Sequence, residues 1–165
     1  MVIYCTRCWK DNPAGSEVCS RCGAKLEADN RTFVAKLIQA LSHPEPMTVE
    51  RAAWILGELK ASEAIIPLVH LLEMSQDMGA LEKAVEALGK IGDSSAVEVL
   101  ASNSAHWPLR VRVQVAETLG KIGGPKVKKV LRTMLKDSSS QVQETANKAL
   151  KTLGSTTCNG GEYAR

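Results

Sequence analysis

The chain is expected to fold as an all-α solenoid of stacked helical hairpins behind a small four-cysteine unit, and three observations lead there. Leu56, Leu88, Leu119 and Leu150 recur at intervals of 32, 31 and 31 residues, and Ala52, Ala84, Val115 and Ala146 recur with them, four residues earlier. A second row, Leu37, Leu68, Val99 and Val130, repeats every 31 residues. A constant period of this size means supersecondary units that bury their apolar faces only by stacking. The third observation is two Cys-x-x-Cys pairs, Cys5/Cys8 and Cys19/Cys22, ahead of the periodic region. The expected organisation is a cysteine unit over 1–27, an array over 28–154 and a loose tail over 155–165.

Composition narrows the classes. Apolar residues make up 44% of the 165 but aromatics only 4%, so the core must be built from Leu, Val, Ile and Ala. No apolar run approaches the ~20 residues of a membrane span. Met1 leads straight into the cysteine motif without a charged-then-apolar leader, so a cytoplasmic location and no membrane association are expected. The net charge of +3 hides a gradient. Residues 1–30 are neutral and 31–104 carry −4, whereas eleven basic and four acidic side chains give +7 over 105–165.

Taken in order, the cysteine unit comes first. Two thiolates per tight turn, four in all, suit the tetrahedral sulfur coordination of a structural zinc site. A unit of this size cannot fold on an apolar core, so the metal must stabilise it. Four sulfur ligands leave no open position, which argues against catalysis at the ion. A disulfide pair or a rubredoxin-like iron site are the alternatives, disfavoured by compartment and spacing. Cys19-x-x-Cys22-Gly23-Ala24-Lys25-Leu26, with Tyr4-Cys5 ahead, resembles the short zinc ribbons at the termini of many prokaryotic proteins. That resemblance implies one Zn2+ held by Cys5, Cys8, Cys19 and Cys22. Trp9 stands where the first pair of such a ribbon would have glycine.

Ala28-Asp29-Asn30 reads as a polar hinge, with Asn30 as a helix N-cap. Two helix types then alternate. B helices are expected near 31–42, 63–74, 94–104 and 125–136, and A helices near 47–60, 79–91, 108–122 and 140–153. Pro44 and Pro46 end the first B helix, because proline lacks the amide donor and clashes with the preceding turn. Pro108 suits a first helical turn. Gly92-Asp93, Gly123-Gly124-Pro125 and Gly154 are stop signals, and Asp137-Ser138-Ser139-Ser140 supplies capping oxygens.

Val111-Arg112, Ala116 and Leu119-Gly120-Lys121-Ile122-Gly123 resemble the A-helix signature of HEAT repeats of the phycobilisome-lyase type. Ala84 with Leu88-Gly89-Lys90-Ile91-Gly92-Asp93 repeats it, and Ala52-Ala53 with Leu56-Gly57-Glu58-Leu59 is a third copy. The resemblance covers roughly 31–154 and implies a right-handed α-solenoid of about four HEAT-like hairpins. In the Asp-x-x-x-x-Val-Arg opening of the repeat, Asp137 and Val142 fit, but Gln143 replaces arginine and His106 replaces aspartate. Asn147, where other A helices carry Ala53, Val85 and Ala116, marks a face with no further repeat upon it.

Function is expected to be binding rather than catalysis. Lys128, Arg132 and Lys136 line one face of the last B helix with Lys129 beside them. The HEAT resemblance implies that the B helices form the concave face, so this stripe is expected to project into the groove toward a protein partner with an acidic surface. Nucleic acid bound by this helix and the ribbon is the second choice, and a solvated helix face is the plain alternative. Trp54, at a position held elsewhere by Glu86, Glu117 and Lys148, and Trp107, before Pro108, are further partner-binding candidates, although both also suit intramolecular packing. His43, His70 and His106 are isolated and none precedes glutamate, so the His-Glu pairs of HEAT-repeat di-iron hydroxylases are absent. The chain is therefore expected not to be an enzyme, with a lyase-like or oxidoreductase-associated accessory role as a remote third reading. Cys158 reads as an incidental thiol in the tail.

Overall fold

In the computed structural model, residues 2–26, 30–103 and 106–155 are described. The hinge residues Ala28 and Asp29, Cys158 and nearly all of the tail lie outside them. Two short strands, β1 (Val2–Tyr4) and β2 (Asp11–Pro13), pair antiparallel with Ile3 opposite Asn12. Eight α-helices follow among the described residues: α1 (Phe33–Ala40), α2 (Pro46–Glu58), α3 (Ile65–Met74), α4 (Met78–Ile91), α5 (Ser95–Asn103), α6 (Leu109–Ile122), α7 (Pro125–Met134) and α8 (Ser140–Ser155). They form the four B–A pairs of an α-solenoid. The 310 turn Ser62–Ala64 leads into α3.

The helix ends differ slightly from expectation, for local reasons. Thr32, not Asn30, caps α1, its hydroxyl accepting from the Ala35 amide at 3.2 Å. Pro46 opens α2 rather than merely ending α1, since its missing N–H costs nothing in a first turn. Asp77 caps α4, accepting from the Ala80 amide at 2.8 Å.

The first leucine row is the spine of the core: Leu56, Leu88 and Leu119 are wholly buried. The second row needs correcting. Leu68, Leu100 and Leu131 are wholly buried, whereas Val99 and Val130 are only half-buried. The B-helix row is therefore Leu37, Leu68, Leu100 and Leu131. Leu68 and Leu88 are 20 residues apart, but Leu37–Leu56, Leu100–Leu119 and Leu131–Leu150 are 19. The extra residue falls between Leu68 and the start of α4: α3 runs on to Met74, and only residues 75–77 separate it from α4.

The two layers pack unequally. The A helices α2, α4, α6 and α8 lie one against the next along their length, while the B helices α1, α3, α5 and α7 scarcely touch one another. Glycine makes the closeness possible. A Cβ added to Gly57 would lie 2.8 Å from the Ala87 Cα, one on Gly89 2.8 Å from the Thr118 methyl, and one on Gly120 2.8 Å from the Ala149 Cβ. The recurring Leu-Gly pair is thus a buried anchor beside a point of backbone approach. Replacing Gly57 by valine is expected to destabilise the array by about 2 kcal/mol through overpacking, because the opposing atom is backbone and cannot move aside. A thermal melt followed by circular dichroism checks this; an unchanged midpoint would mean the helices can separate there without cost.

The A layer is the more closely packed, and a stack curves toward its more closely spaced layer, which argues for the A helices on the inner face, where the B helices were expected.

One buried-edge ion pair fastens the last hairpin. Arg112 donates from Nε and Nη2 to the two carboxylate oxygens of Asp137, both at 3.0 Å, and from Nη1 to the Trp107 carbonyl at 2.8 Å. Val49 and Leu81 bury themselves at the positions equivalent to Arg112. Gln143, which replaces the next arginine, turns back to the Asp137 carbonyl at 2.6 Å. It thereby braces its own turn instead of bridging repeats.

Candidate metal centre and inner-face surface

The cysteine unit is two knuckles facing each other. The amides of Trp9 and Gly23 donate to the carbonyls of Cys5 and Cys19, both at 2.9 Å, and the amides of Cys5 and Cys19 donate to Lys10 and Ala24 at 2.9 and 2.8 Å. The Arg7 and Arg21 amides each point at a sulfur, of Cys5 and Cys19, at 3.4 Å. This near-duplication brings all four Sγ atoms within 4.8 Å of one another. Cys5 and Cys22 are 3.6 Å apart, as are Cys8 and Cys19, far beyond a disulfide bond. Zinc–sulfur bonds of 2.3 Å in a tetrahedron imply edges of about 3.8 Å, so the donor set fits one metal ion.

The thiols alone are an uneasy cluster. Burial opposes ionisation of Cys19, but the amides of Cys22 and Arg21 and the neighbouring thiols outweigh it and bring that group to about 6. The Lys10 amide favours a Cys8 thiolate, yet burial and the hydrogen bonds shared with the other three cysteines push it up to about 12. Four thiolates at this spacing require a cation.

Asn12 is a residue the sequence did not single out. It is 1% exposed. Its Oδ1 accepts from the Ser20 amide and hydroxyl at 2.9 and 3.1 Å, and its Nδ2 donates to the Lys10 carbonyl at 2.8 Å and faces Cys19 Sγ at 3.8 Å. It ties one knuckle to the other. No motif announces it, because asparagine in an Asn-Pro-Ala-Gly stretch is already accounted for by turn chemistry.

The partner-binding candidates do not converge. Lys129, Arg132 and Lys136 are exposed, but on α7 and its C-terminal turn, in the outer layer; Lys128 is half-buried beside the α6–α7 turn, near Thr152 and Leu153. Trp107 is 8% exposed and belongs to the core, so it is no contact residue; it staples the turn before α6. Trp54 is 47% exposed on the inner layer, with Lys90 Nζ 5.8 Å from its ring centroid. Nζ of Lys90 is also paired with Glu58 at 2.7 Å and Glu86 at 2.8 Å, and Lys83 with Glu86 at 2.8 Å, so the middle of this face is neutralised. Toward its far end, Lys121, Lys148, Glu117 and Thr145 line a cleft of about 360 Å3 over the Gly120–Ala149 contact. Neither lysine has an ion-pair partner among the described residues. Position on the A helices is the signal that finds them, once the inner layer is known. Asn147 is exposed where Ala53, Val85 and Ala116 are buried.

A layered array of such hairpins defines a helical-repeat protein, and the family model for HEAT repeats matches residues 34–110 and 103–157. The chain belongs to the HEAT-repeat family. It is 34% identical over 120 residues to deoxyhypusine hydroxylase of Danio rerio, an alignment covering 70% of this chain and 38% of that protein. Human deoxyhypusine hydroxylase in complex with glycerol superposes with a TM-score of 0.65 at 24% identity, over 79% of this chain and 48% of that one. An engineered protein gives 0.58 at 26% identity, over 76% and 64%. The complex of CpcE and CpcF of phycocyanin lyase from Nostoc gives 0.53 at 21%, over 87% and 71%. The chain thus spans less than half the length of the curated relative it matches. These findings correct one expectation. The relative is an enzyme, so the reading of this chain as a non-enzyme does not stand. A repeat pattern reports how helices stack and is silent on what chemistry the stack supports.

Proposed function

We propose that this chain is the protein-recognising part of an enzyme or enzyme assembly, binding a protein along the inner face of its A helices, with residues 1–27 as a structural zinc ribbon. The observation that carries the reading is the layout of that face: a half-exposed Trp54 at one end, a neutralised centre, and at the other Lys121 and Lys148, without ion-pair partners among the described residues. A large aromatic and unpaired cations are what a recognition surface offers a partially acidic partner. The enzyme link is supported by the hydroxylase relative. The CpcE–CpcF complex supplies a case of this fold joined to a second chain. The metal is proposed to hold the ribbon together through Cys5, Cys8, Cys19 and Cys22, leaving no ligand position for chemistry. Four free thiols suit a reducing, cytoplasmic setting.

Photo-crosslinking residues placed at 54 or 148, and at 129 or 132 as outer-layer controls, test the reading in the native cell. Protein adducts are expected from the inner positions. Adducts only from the outer positions would refute it. The second reading, nucleic-acid binding, rests on exposed Lys129, Arg132 and Lys136. It requires low-salt affinity for duplex or single-stranded probes that falls steeply with salt and with alanine at those positions.

A further inference from the structure

We infer that the cysteine unit is a metal-dependent cap on the N-terminal end of the solenoid, with Trp9 as the residue through which the metal acts. This rests on the metal reading above. Trp9 has φ +60, matching the +67 of Gly23 in the second knuckle. That left-handed conformation is easy for glycine and costly for a residue with a Cβ. Tryptophan is therefore held there against its own backbone preference, and its ring shows to what end. It meets His43 edge-on, with centroids 4.6 Å apart. His43 is itself fixed, its Nδ1 accepting from the Glu45 amide at 3.0 Å in the turn between α1 and α2.

A second tie comes from the same knuckle. The Thr6 carbonyl, between Cys5 and Cys8, accepts from Gln39 Nε2 on α1. Between the two ties, Tyr4, Thr6 and Trp9 enclose a largely apolar cleft with Lys36, Gln39 and Ala40. Ser20 and Arg21, inside the second knuckle, are exposed. The docking side is thus the knuckle that departs from the glycine pattern. α1 is only eight residues long and has α2 as its main packing neighbour, so it gains disproportionately from a cover. Both ties lie between or beside metal-binding sulfurs. Without the cation only the knuckle's own few hydrogen bonds oppose the cost of positive φ at Trp9, and the cover is released.

Hydrogen exchange of the full-length protein, as purified and after metal removal with a chelator, tests the idea. Amides of residues 33–40 are expected to exchange about tenfold faster without metal, while those of α6 and α8 stay unchanged. The decisive variant is Trp9→Gly, which suits the left-handed turn and keeps all four cysteines. It should retain one metal per chain yet show fast exchange at 33–40 with or without the ion. Unchanged exchange at 33–40 on metal removal, or full protection in metal-loaded Trp9→Gly, would overturn the inference. A chain that carries no metal as purified would instead strike at the ribbon reading itself.

Discussion

The purified protein is expected to contain one equivalent of zinc per chain, and Cys19→Ser or Cys5→Ser should abolish it together with the order of residues 2–26. Each of these sulfurs is buried and accepts an amide hydrogen bond inside its knuckle. The unit has one two-stranded ladder and scarcely any apolar core, so a bound metal would be the main term favouring its folded form. The helices have their own continuous core, and their melting should survive the loss. Elemental analysis and proton NMR of the ribbon report the two halves of the prediction. Four freely alkylatable thiols with no bound metal would refute it, and a visible chromophore with iron would change the ion while keeping the ligands.

Asp137→Ala is expected to cost about 3 kcal/mol, the low end for breaking a buried ion pair. The low end applies because the side chains of Arg112 and Asp137 are 16% and 13% exposed. The loss strands a guanidinium between α6 and the turn before α8, and should lower the melting midpoint by roughly 6–12 °C for a chain of this size. Pairing it with Arg112→Leu should recover part of the loss, since Leu81 fills the equivalent position one repeat earlier. If the double variant is no better than Asp137→Ala alone, the cost lies in the Asp137 turn rather than the stranded charge. The carboxyl sits below its ordinary 3.8: burial opposes this, but the Ser139 amide and the Arg112 guanidinium prevail. Its stabilising contribution is therefore fully present above that ordinary value, and is lost as pH falls through the lower folded value. An acid titration of the melting midpoint, compared with Asp137→Asn, would show it.

Much of this molecule is legible without a fold. The Leu56 row marks the A helices, Pro108 and the glycines near 92 and 123 mark their ends, and cysteine spacing marks the four thiols that the fold gathers. These features are local: helical period, capping chemistry and ligand geometry operate over a few residues. The row Leu37, Leu68, Val99, Val130 misled, because equal spacing looked like equal position while one extra residue between Leu68 and the start of α4 had shifted the register by one. The sequence leaves Trp107 open between a partner contact and intramolecular packing, and its burial in the core decides for packing.

By itself, then, the sequence determined the helical hairpins, their number and the four-cysteine cluster, since short-range chemistry suffices for each. Only the tertiary structure decided which layer faces inward, because Gly57, Gly89 and Gly120 set the spacing of the A helices through contacts about thirty residues away. That choice placed Trp54, Lys121 and Lys148 on the inner face and left the Lys129–Lys136 stripe outside. The use of Trp9 was likewise a tertiary matter. A departure from a knuckle pattern becomes a docking contact only when His43 and Gln39, more than thirty residues later, are brought beside it.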